Sequence, residues 1–306
     1  MESKISEKVM NNPVFILPLE IQTSIGEKGI DIDDIREIRV RNGSRIAIIA
    51  SGRELFLEEK GNVKIINSIL ENATGHSMYA YEEALRNGYI TIKGGHRIGV
   101  AGQVVIENEK VKTIKNISSV NIRFARQVYG AAEAVIKKVI GRKGIVNILI
   151  ISPPGYGKTT LLRDLIRQVS GREKNEHYTN VSVIDERGEL AAMYKGVPQN
   201  DLGSCTDILD GCSKREGMMM LIRTMTPDVL CVDEIGLADD VEALRYVLNC
   251  GCNIFASIHG TSLEEVIKRP VIESIFVEKM FDVYVVLRKK ADDAPVIYDE
   301  KFHLIG

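Results

Sequence analysis

Residues 145–160 read "IVNILIISPPGYGKTT", in which an aliphatic run leads into a short loop that ends on lysine and two threonines. The stretch fits the pattern G-x-x-x-x-G-K-[ST] except at its first position, where Ser152 replaces glycine. In such a phosphate-binding loop (P-loop), backbone N–H groups and the start of the next helix bind phosphate oxygens. Ser152 lies where the chain leaves the strand, the part of the loop least involved in phosphate contact. The stretch therefore predicts an α/β nucleotide-binding domain.

The residues of the loop have separate expected roles. Gly155 and Gly157 allow the tight backbone path, and Lys158 neutralises the charge of the β- and γ-phosphates. Thr159 is the expected Mg²⁺ ligand, and Thr160 adds a neighbouring N–H group. The predicted nucleotide-binding residues are Ser152, Pro153, Pro154, Gly155, Tyr156, Gly157, Lys158, Thr159 and Thr160.

A second apolar strand supports this interpretation. The segment "PDVLCVDEIG" ends its apolar run in Asp233 and Glu234, as a Walker B strand does. Asp233 is expected to reach the water shell of Mg²⁺, and Glu234 to polarise the attacking water. Each motif taken alone has another explanation. A lone Gly-Lys-Thr after a strand can arise by chance, and an Asp-Glu pair at a strand end is commonly only solvated. Their joint presence predicts hydrolysis of Mg-ATP.

Two more strands are expected to end at the same edge of the sheet. "VSVIDERGEL" ends in Asp185 and Glu186, and "NIFASIHG" ends in Ser257 and His259. The carboxyl ends of parallel strands border the crevice where ligands bind. His259 is predicted to sense the γ-phosphate or to orient water, with a purely structural histidine as the alternative. No N/T-K-x-D element of a GTPase follows the P-loop.

The chain changes its pattern along its length. Residues 34–60 and 89–126 alternate apolar and polar residues around glycine turns, which predicts strands, and residues 63–87 have helical spacing. Strands and helices alternate after residue 145, which implies a parallel sheet covered by helices on both faces. We predict a smaller α+β domain over residues 1–128 and an α/β P-loop ATPase domain over residues 129–306.

Separate elements are predicted within the second domain. The predicted strands are 145–151, 181–184, 229–233, 253–258, 281–288 and 295–299. The predicted helices are 158–169, 213–225 and 240–249.

Composition limits the other functional classes. A net charge of -2 argues against a chain that coats nucleic acid by bulk charge, and it leaves room for a local basic patch. Five cysteines crowded into one stretch are typical of reduced thiols in a cytosolic protein, and Cys250 and Cys252 have no second pair at zinc-site spacing.

No signal peptide and no apolar run of ~20 residues is present, so we expect a cytoplasmic protein that meets a membrane only through a partner.

Basic residues outnumber acidic ones in the β-like stretch 89–126, and two interpretations stay open. The lysines and arginines form either a solvated sheet face or a functional basic surface. A nucleic-acid-binding P-loop protein is one alternative function, although the stretch lacks an RNA-reading motif. An assembly scaffold that binds ATP and hydrolyses it too slowly to matter is another.

Four boxes follow one another in the second half: the P-loop, "VIDERGEL", "RTMTPDVLCVDEIG" and "SIHG". In this order they resemble the type II and type IV secretion ATPases, which are RecA-like with an additional strand. The first half, with "IREIRVRNGSRIAI", "YAYEEALRNGYITIKGGHRIGVAGQVV" and "ISSVNIRFAR", extends the likeness. The chain resembles the stage III sporulation protein AA family over nearly its whole length.

The resemblance implies a function and its partners. It implies a cytosolic ATPase of the mother cell that docks on the membrane proteins of a secretion-like channel and works as a ring hexamer. Basic residues of the N-terminal domain then reach the nucleotide of the neighbouring subunit. The candidates for this arginine finger are Arg97, Arg123 and Arg126, and Arg223, which precedes "PDV" in the second half, is another candidate.

Two features depart from the family pattern. Ser152 replaces the usual glycine of the loop, which leaves nucleotide affinity open. Asp233-Glu234 replaces the Gly-Glu of many secretion ATPases, which favours Glu234 as the catalytic base. The acidic-box carboxylate has that role in part of the wider group, so Glu186 is the second candidate.

Overall fold

A computed structural model gives the conformation of residues 12–75, 86, 88–174, 177–288 and 294–305. The chain divides into two compact units. The first comprises residues 1–126 and 192–199, and the second comprises residues 127–191 and 200–306. No pattern in the sequence assigns residues 192–199 to the first unit. The domain boundary between residues 128 and 129 stays a prediction.

The first unit is built on a six-stranded antiparallel sheet in the order β3-β2-β1-β6-β5-β4. The strands are β1 (Ile35–Arg41), β2 (Arg45–Ala50), β3 (Arg53–Lys60), β4 (Tyr89–Thr91), β5 (Arg97–Glu107) and β6 (Lys110–Arg123). Tight turns connect β1, β2 and β3, as the alternating pattern of residues 34–60 predicts.

Two helices, α1 (Leu19–Glu27) and α2 (Val63–Thr74), pack their apolar faces on this sheet. The side chain of Asn62 accepts a hydrogen bond from the N–H of Ile65 and so begins α2, and Gly75 ends it with a φ of 58°. The core includes Ile21, Ile25, Ile38, Ile48, Ile66, Ile69, Ile98 and Ile122. Residues 76–85 and 87 of the predicted helix 63–87 lie outside the described residues.

The second unit contains a seven-stranded sheet in the order β11-β10-β12-β13-β7-β14-β15. All neighbouring pairs are parallel except β14 and β15. The strands are β7 (Ile148–Ser152), β10 (Val181–Asp185), β11 (Thr206–Asp210), β12 (Val229–Val232), β13 (Asn253–His259), β14 (Val283–Val286) and β15 (Val296–Asp299). β8 (Glu173–Lys174) and β9 (His177–Tyr178) form a separate small hairpin.

Helices follow most of the parallel strands of the second unit, but within the described residues no helix lies between β10 and β11. The helices of this unit with five or more α-helical residues are α3 (Lys158–Val169), α4 (Lys214–Thr224), α5 (Ala238–Asn249), α6 (Leu263–Ile267) and α7 (Glu273–Val277). The predicted elements of this half are confirmed to within three residues at each end. The strand β11 is absent from the prediction.

The fold is the predicted P-loop, RecA-like α/β core. β13 lies between the P-loop strand β7 and the Walker B strand β12, which is the additional strand of this class. All four residues of β12 and all five of β7 are buried, as expected for central parallel strands. The order of the strands therefore places the ends of β7, β13 and β12 side by side at one edge of the sheet.

Candidate nucleotide-binding site

The loop between β7 and α3 has the backbone geometry of a phosphate-binding loop. Gly155 and Gly157 have φ values of 80° and 89°, a region that side chains with a Cβ rarely adopt. Gly157 precedes the first residue of α3, and no side chain caps the helix there. The first N–H groups of α3 are therefore available to an anion at this end of the helix.

The remaining loop residues are arranged around this turn. The hydroxyl of Ser152 is buried and donates to the carbonyl of Pro153 at 2.9 Å, so the side chain is turned into its own loop. Pro154 is exposed, and Tyr156 and Thr160 are half-buried. Any contact of Ser152 with a nucleotide is left to its backbone.

Asp233, which directly follows β12, connects the loop to the neighbouring strands. Its Oδ1 accepts from Nζ of Lys158 at 2.9 Å, and its Oδ2 accepts from Oγ1 of Thr159 at 2.9 Å. Ser257 of β13 also donates to Oδ1. Burial acts to raise the pKa of Asp233, but Lys158 and the hydrogen bonds outweigh it and leave the pKa below its usual value.

Glu234 lies beside Asp233 and is held by three side chains. Its Oε1 is 2.8 Å from Nε2 of His259 and 3.3 Å from Nζ of Lys158. Its Oε2 accepts from Nη1 of Arg187 at 2.8 Å. Burial acts to raise the pKa of Glu234, but the Lys158 ammonium outweighs it and lowers the pKa. Glu234 is thus ionised at neutral pH.

His259 makes its contact through one defined nitrogen. An ionised carboxylate only accepts hydrogen bonds, so Nε2 carries the proton that it donates to Glu234. Nδ1 is buried, and within the described residues it has no hydrogen-bond partner. The structure thus brings Lys158, Thr159, Asp233, Glu234 and His259 together, as the sequence predicts.

The two carboxylates of the acidic box have different surroundings. Asp185 is buried, and its carboxylate accepts from the backbone N–H groups of residues 189–191 at 2.7 to 3.1 Å. Glu186 is exposed and pairs with Nζ of Lys214, on α4, at 2.6 Å. Asp185 holds the turn after β10, and the role of Glu186 as a base stays a prediction.

The candidate arginine of the second unit, Arg223, is exposed in the last turn of α4. It lines a surface groove of about 750 Å³ that Glu186 and Lys214 also line. Its role stays a prediction.

The other candidate arginines, Arg97, Arg123 and Arg126, belong to the first unit. The guanidinium of Arg97 lies 4.8 Å from the ring centre of Tyr89. Arg123, whose side chain is 68% exposed, has Nε 3.9 Å from Glu37. Arg126 donates to the carbonyl of Ile35 at 3.1 Å. Each of the three arginines thus contacts a residue of its own unit.

Three residues of the site have no role assigned from the sequence. Ser257 contacts Asp233, Arg187 contacts Glu234, and Arg163 of α3 donates to the carbonyls of residues 189 and 190. Ser257 and His259 are two apart on one strand and so share a face, which is a signal that predicts a joint role. An arginine in a polar turn has no comparable signal.

The donor set of the site suits Mg²⁺ bound together with a nucleotide. The hydroxyl of Thr159 and the carboxylate of Asp233 are hard oxygen donors that lie side by side, and Mg²⁺ is commonly held by one or two carboxylates plus substrate phosphates. No group of three or more His, Cys, Asp or Glu side chains in the described parts of the chain is arranged to hold a metal by itself. All five cysteines are free thiols.

Comparison with known proteins identifies the family of this chain and several solved structures that share its fold. The family model described as "Sporulation stage III, protein AA" matches residues 7–305. Stage III sporulation protein AA of Bacillus subtilis (strain 168) is 40% identical over 300 residues, which cover 97% of each chain.

Solved structures of ATPases have the same fold. The ATPase DotB of Yersinia pseudotuberculosis is 15% identical and superposes with a TM-score of 0.59 over 91% of this chain and 78% of its own. The pilus retraction motor PilT with bound ADP is 16% identical, with a TM-score of 0.59 over 90% of this chain and 80% of its own. At these identities the likeness is one of fold.

None of the helices in the described part of the chain is both long enough and apolar enough to cross a membrane.

Proposed function

The chain belongs to the sporulation stage III protein AA family, and from this premise we propose that it is a Mg²⁺-dependent ATPase that drives a secretion-like channel during sporulation. The observation that best supports the proposed ATPase activity is that two P-loop residues contact one Walker B carboxylate. Lys158 and Thr159 both lie 2.9 Å from Asp233. Two separate sequence motifs thus meet in one site, as binding of a nucleotide with its metal requires.

In the proposed reaction the loop binds the phosphates. The N–H groups at the start of α3 and the ammonium of Lys158 hold the β- and γ-phosphates. Thr159 and Asp233 would hold Mg²⁺, Asp233 through water, and the ion would supply positive charge to the phosphoryl oxygens. Lys158 leaves the two carboxylates when it engages the phosphates.

Glu234 is the proposed base. It polarises the water that attacks the γ-phosphate, and His259 keeps its carboxylate in place through the 2.8 Å hydrogen bond. Glu186 is the second candidate: it pairs with Lys214 of α4 at 2.6 Å, whereas Glu234 lies 3.3 Å from the P-loop lysine Lys158.

The proposed assembly is a ring of identical subunits that docks on membrane proteins of the channel from the cytoplasmic side. Family membership supports this proposal, and so does the fold shared with a pilus retraction motor. The arginines Arg97, Arg123 and Arg126 are then candidates to reach the nucleotide of a neighbouring subunit, where an arginine would neutralise the transferring phosphoryl group.

Substitution of the base separates binding from hydrolysis. We expect Glu234→Gln to bind a fluorescent ATP analogue about as well as wild type, and to lower the rate of ATP turnover about 100-fold or more, because the amide cannot accept a proton. Lys158→Ala should lose binding and turnover together. Equilibrium binding and phosphate release by the full-length chain measure the two effects.

Lys137→Ala serves as the matched control. Lys137 has a 73% exposed side chain and pairs with Glu133, one helical turn earlier. Its removal should leave binding and turnover at wild-type values. A Glu234→Gln chain with the wild-type turnover rate would disprove Glu234 as the base.

A further inference from the structure

The turn that follows β10 presents one arginine from a fixed backbone. The carboxylate of Asp185 binds the N–H groups of residues 189–191, and Arg163 of the P-loop helix binds the carbonyls of residues 189 and 190 at 2.7 and 3.0 Å. The turn is therefore held both by its own strand and by α3. Arg187 lies in this turn with a 65% exposed side chain.

From this position Arg187 reaches the candidate base. Its Nη1 donates to Oε2 of Glu234 at 2.8 Å, while Lys158 and His259 occupy Oε1. Both oxygens of Glu234 are therefore engaged by donors. The guanidinium charge beside Oε2 stabilises the ionised carboxylate, so Glu234 in this state is a weaker proton acceptor for an attacking water.

ATP releases one of these contacts through the P-loop. Lys158 moves to the phosphates when a nucleotide binds, whether the nucleotide is ATP or ADP. Oε2 stays with Arg187, whose charge is permanent. An anion that draws Arg187 away would therefore strengthen Glu234 as the proton acceptor.

A γ-phosphoryl group is suited to this exchange. It carries more negative charge than a carboxylate, and the planar guanidinium matches two of its oxygens at once. Lys158 lies within 3.3 Å of Glu234, so the phosphates that Lys158 binds come close to the carboxylate that Arg187 holds.

We propose that Arg187 senses the γ-phosphate from within the same subunit. It holds Glu234 when the site is empty or contains ADP, and it transfers to a γ-phosphoryl oxygen when ATP binds, which frees Oε2 for the attacking water. This inference rests on the proposed ATPase function, and it explains how the base reaches its full strength only when a triphosphate is present.

The affinities for ADP and for a non-hydrolysable ATP analogue test the inference. We expect Arg187→Ala to weaken binding of the triphosphate about tenfold and to change ADP affinity less than about threefold, because only the triphosphate offers the γ-oxygens. kcat should fall more than KM rises. Arg187→Lys should restore part of the triphosphate preference, since it keeps the charge without the planar fork.

Arg245→Ala is the matched control in the same unit. Arg245 is also partly exposed and pairs with the carboxylate of Glu278 at 2.6 and 2.8 Å. Its removal should leave both affinities unchanged, and a loss equal to that of Arg187→Ala would overturn the inference as a general effect of charge.

Two other outcomes of the affinity measurements separate the sensor role of Arg187 from the proposed ATPase function. An unchanged ratio of triphosphate to ADP affinity in Arg187→Ala, with wild-type or higher turnover, would overturn the sensor role and leave the ATPase function intact. A wild-type chain that binds neither nucleotide would instead contradict the proposed function itself.

Discussion

Glu234 has a backbone conformation that is costly for its residue type. Its φ of 56° lies in the left-handed region, where a residue with a Cβ loses about 1–2 kcal/mol. The N–H of Glu234 donates to Oγ of Ser257 at 3.0 Å, which helps to hold this conformation. Strained residues of this kind concentrate at functional sites, so the backbone supports Glu234 as a working residue independently of its charge.

Asp164 on α3 gives a prediction about stability that is separate from catalysis. It is buried, and its carboxylate accepts from the N–H of Ala132 and from the side chains of Arg167 and Gln168 at 2.7 to 3.0 Å. Asp164→Asn should lower the free energy of unfolding by about 1–3 kcal/mol at pH 7, because the amide leaves a buried donor without its acceptor. Chemical denaturation measures the change.

The loss should depend on pH in a defined direction. Burial acts to raise the pKa of Asp164, but the hydrogen bonds from Ala132, Arg167 and Gln168 outweigh it and lower the pKa. The stability that the carboxylate provides is therefore present above its unfolded pKa of about 3.9 and is lost as pH falls through the lower folded value. The exposed pair of Asp239 makes Asp239→Asn a control that should change little. A difference for Asp164→Asn that stays constant from pH 7 to pH 3 would contradict this account.

At the scale of single residues, the sequence predicts those site residues that belong to known motifs. Lys158, Thr159, Asp233 and Glu234 belong to motifs at the ends of buried strands, so the sequence predicts them as site residues, and the order of the strands then brings them together. Arg187 is not predictable in this way, because its contact depends on the conformation of a polar turn.

Helix α4 approaches strand β10 closely at Gly217. A Cβ at this position would lie 2.8 Å from Sγ of Cys212 and 2.9 Å from two methyl or methylene carbons of Ile184, which is buried in the core. The glycine thus sets the distance between a helix and the strand that ends in Asp185. A glycine inside a helix lowers its propensity by about 1 kcal/mol, so its presence needs such a packing reason.

A pair of glycine substitutions tests this packing. Gly217→Ala gains about 1 kcal/mol of helix propensity but should lose about 1–3 kcal/mol to overpacking, so we expect net destabilisation of α4. Gly26→Ala in α1 meets no atom within 4 Å and should stabilise its helix. Amide hydrogen exchange of each helix reports the two effects. Equal stabilisation by both substitutions would disprove the close-packing role of Gly217.

The elements that the sequence predicts are those with continuous apolar runs. β7, β12 and β13 are buried on both faces, and their composition shows it directly. β11 escapes prediction because it lies at the edge of the sheet, where Thr206, Asp207 and Asp210 interrupt the apolar pattern. The order of the strands comes from long-range pairing, which the sequence suggests only through the family resemblance.

At the scale of the whole molecule, each unit has its own hydrophobic core, and the candidate base and P-loop lie in the second unit. The proposed trans arginines belong to the first unit of another copy. A heterologous contact between identical subunits closes into a ring when its rotation allows, and each ring interface would then complete one nucleotide site. Activity per chain should therefore increase with assembly.

Phosphate release by the full-length chain with Mg-ATP, measured over increasing protein concentration against Lys158→Ala, tests the central claim most directly. We predict continuous release by wild type, with a rate per chain that rises with concentration and then levels off, and background release by Lys158→Ala throughout. Wild-type release that never exceeds that of Lys158→Ala at any concentration would contradict the assignment of this chain as an ATPase.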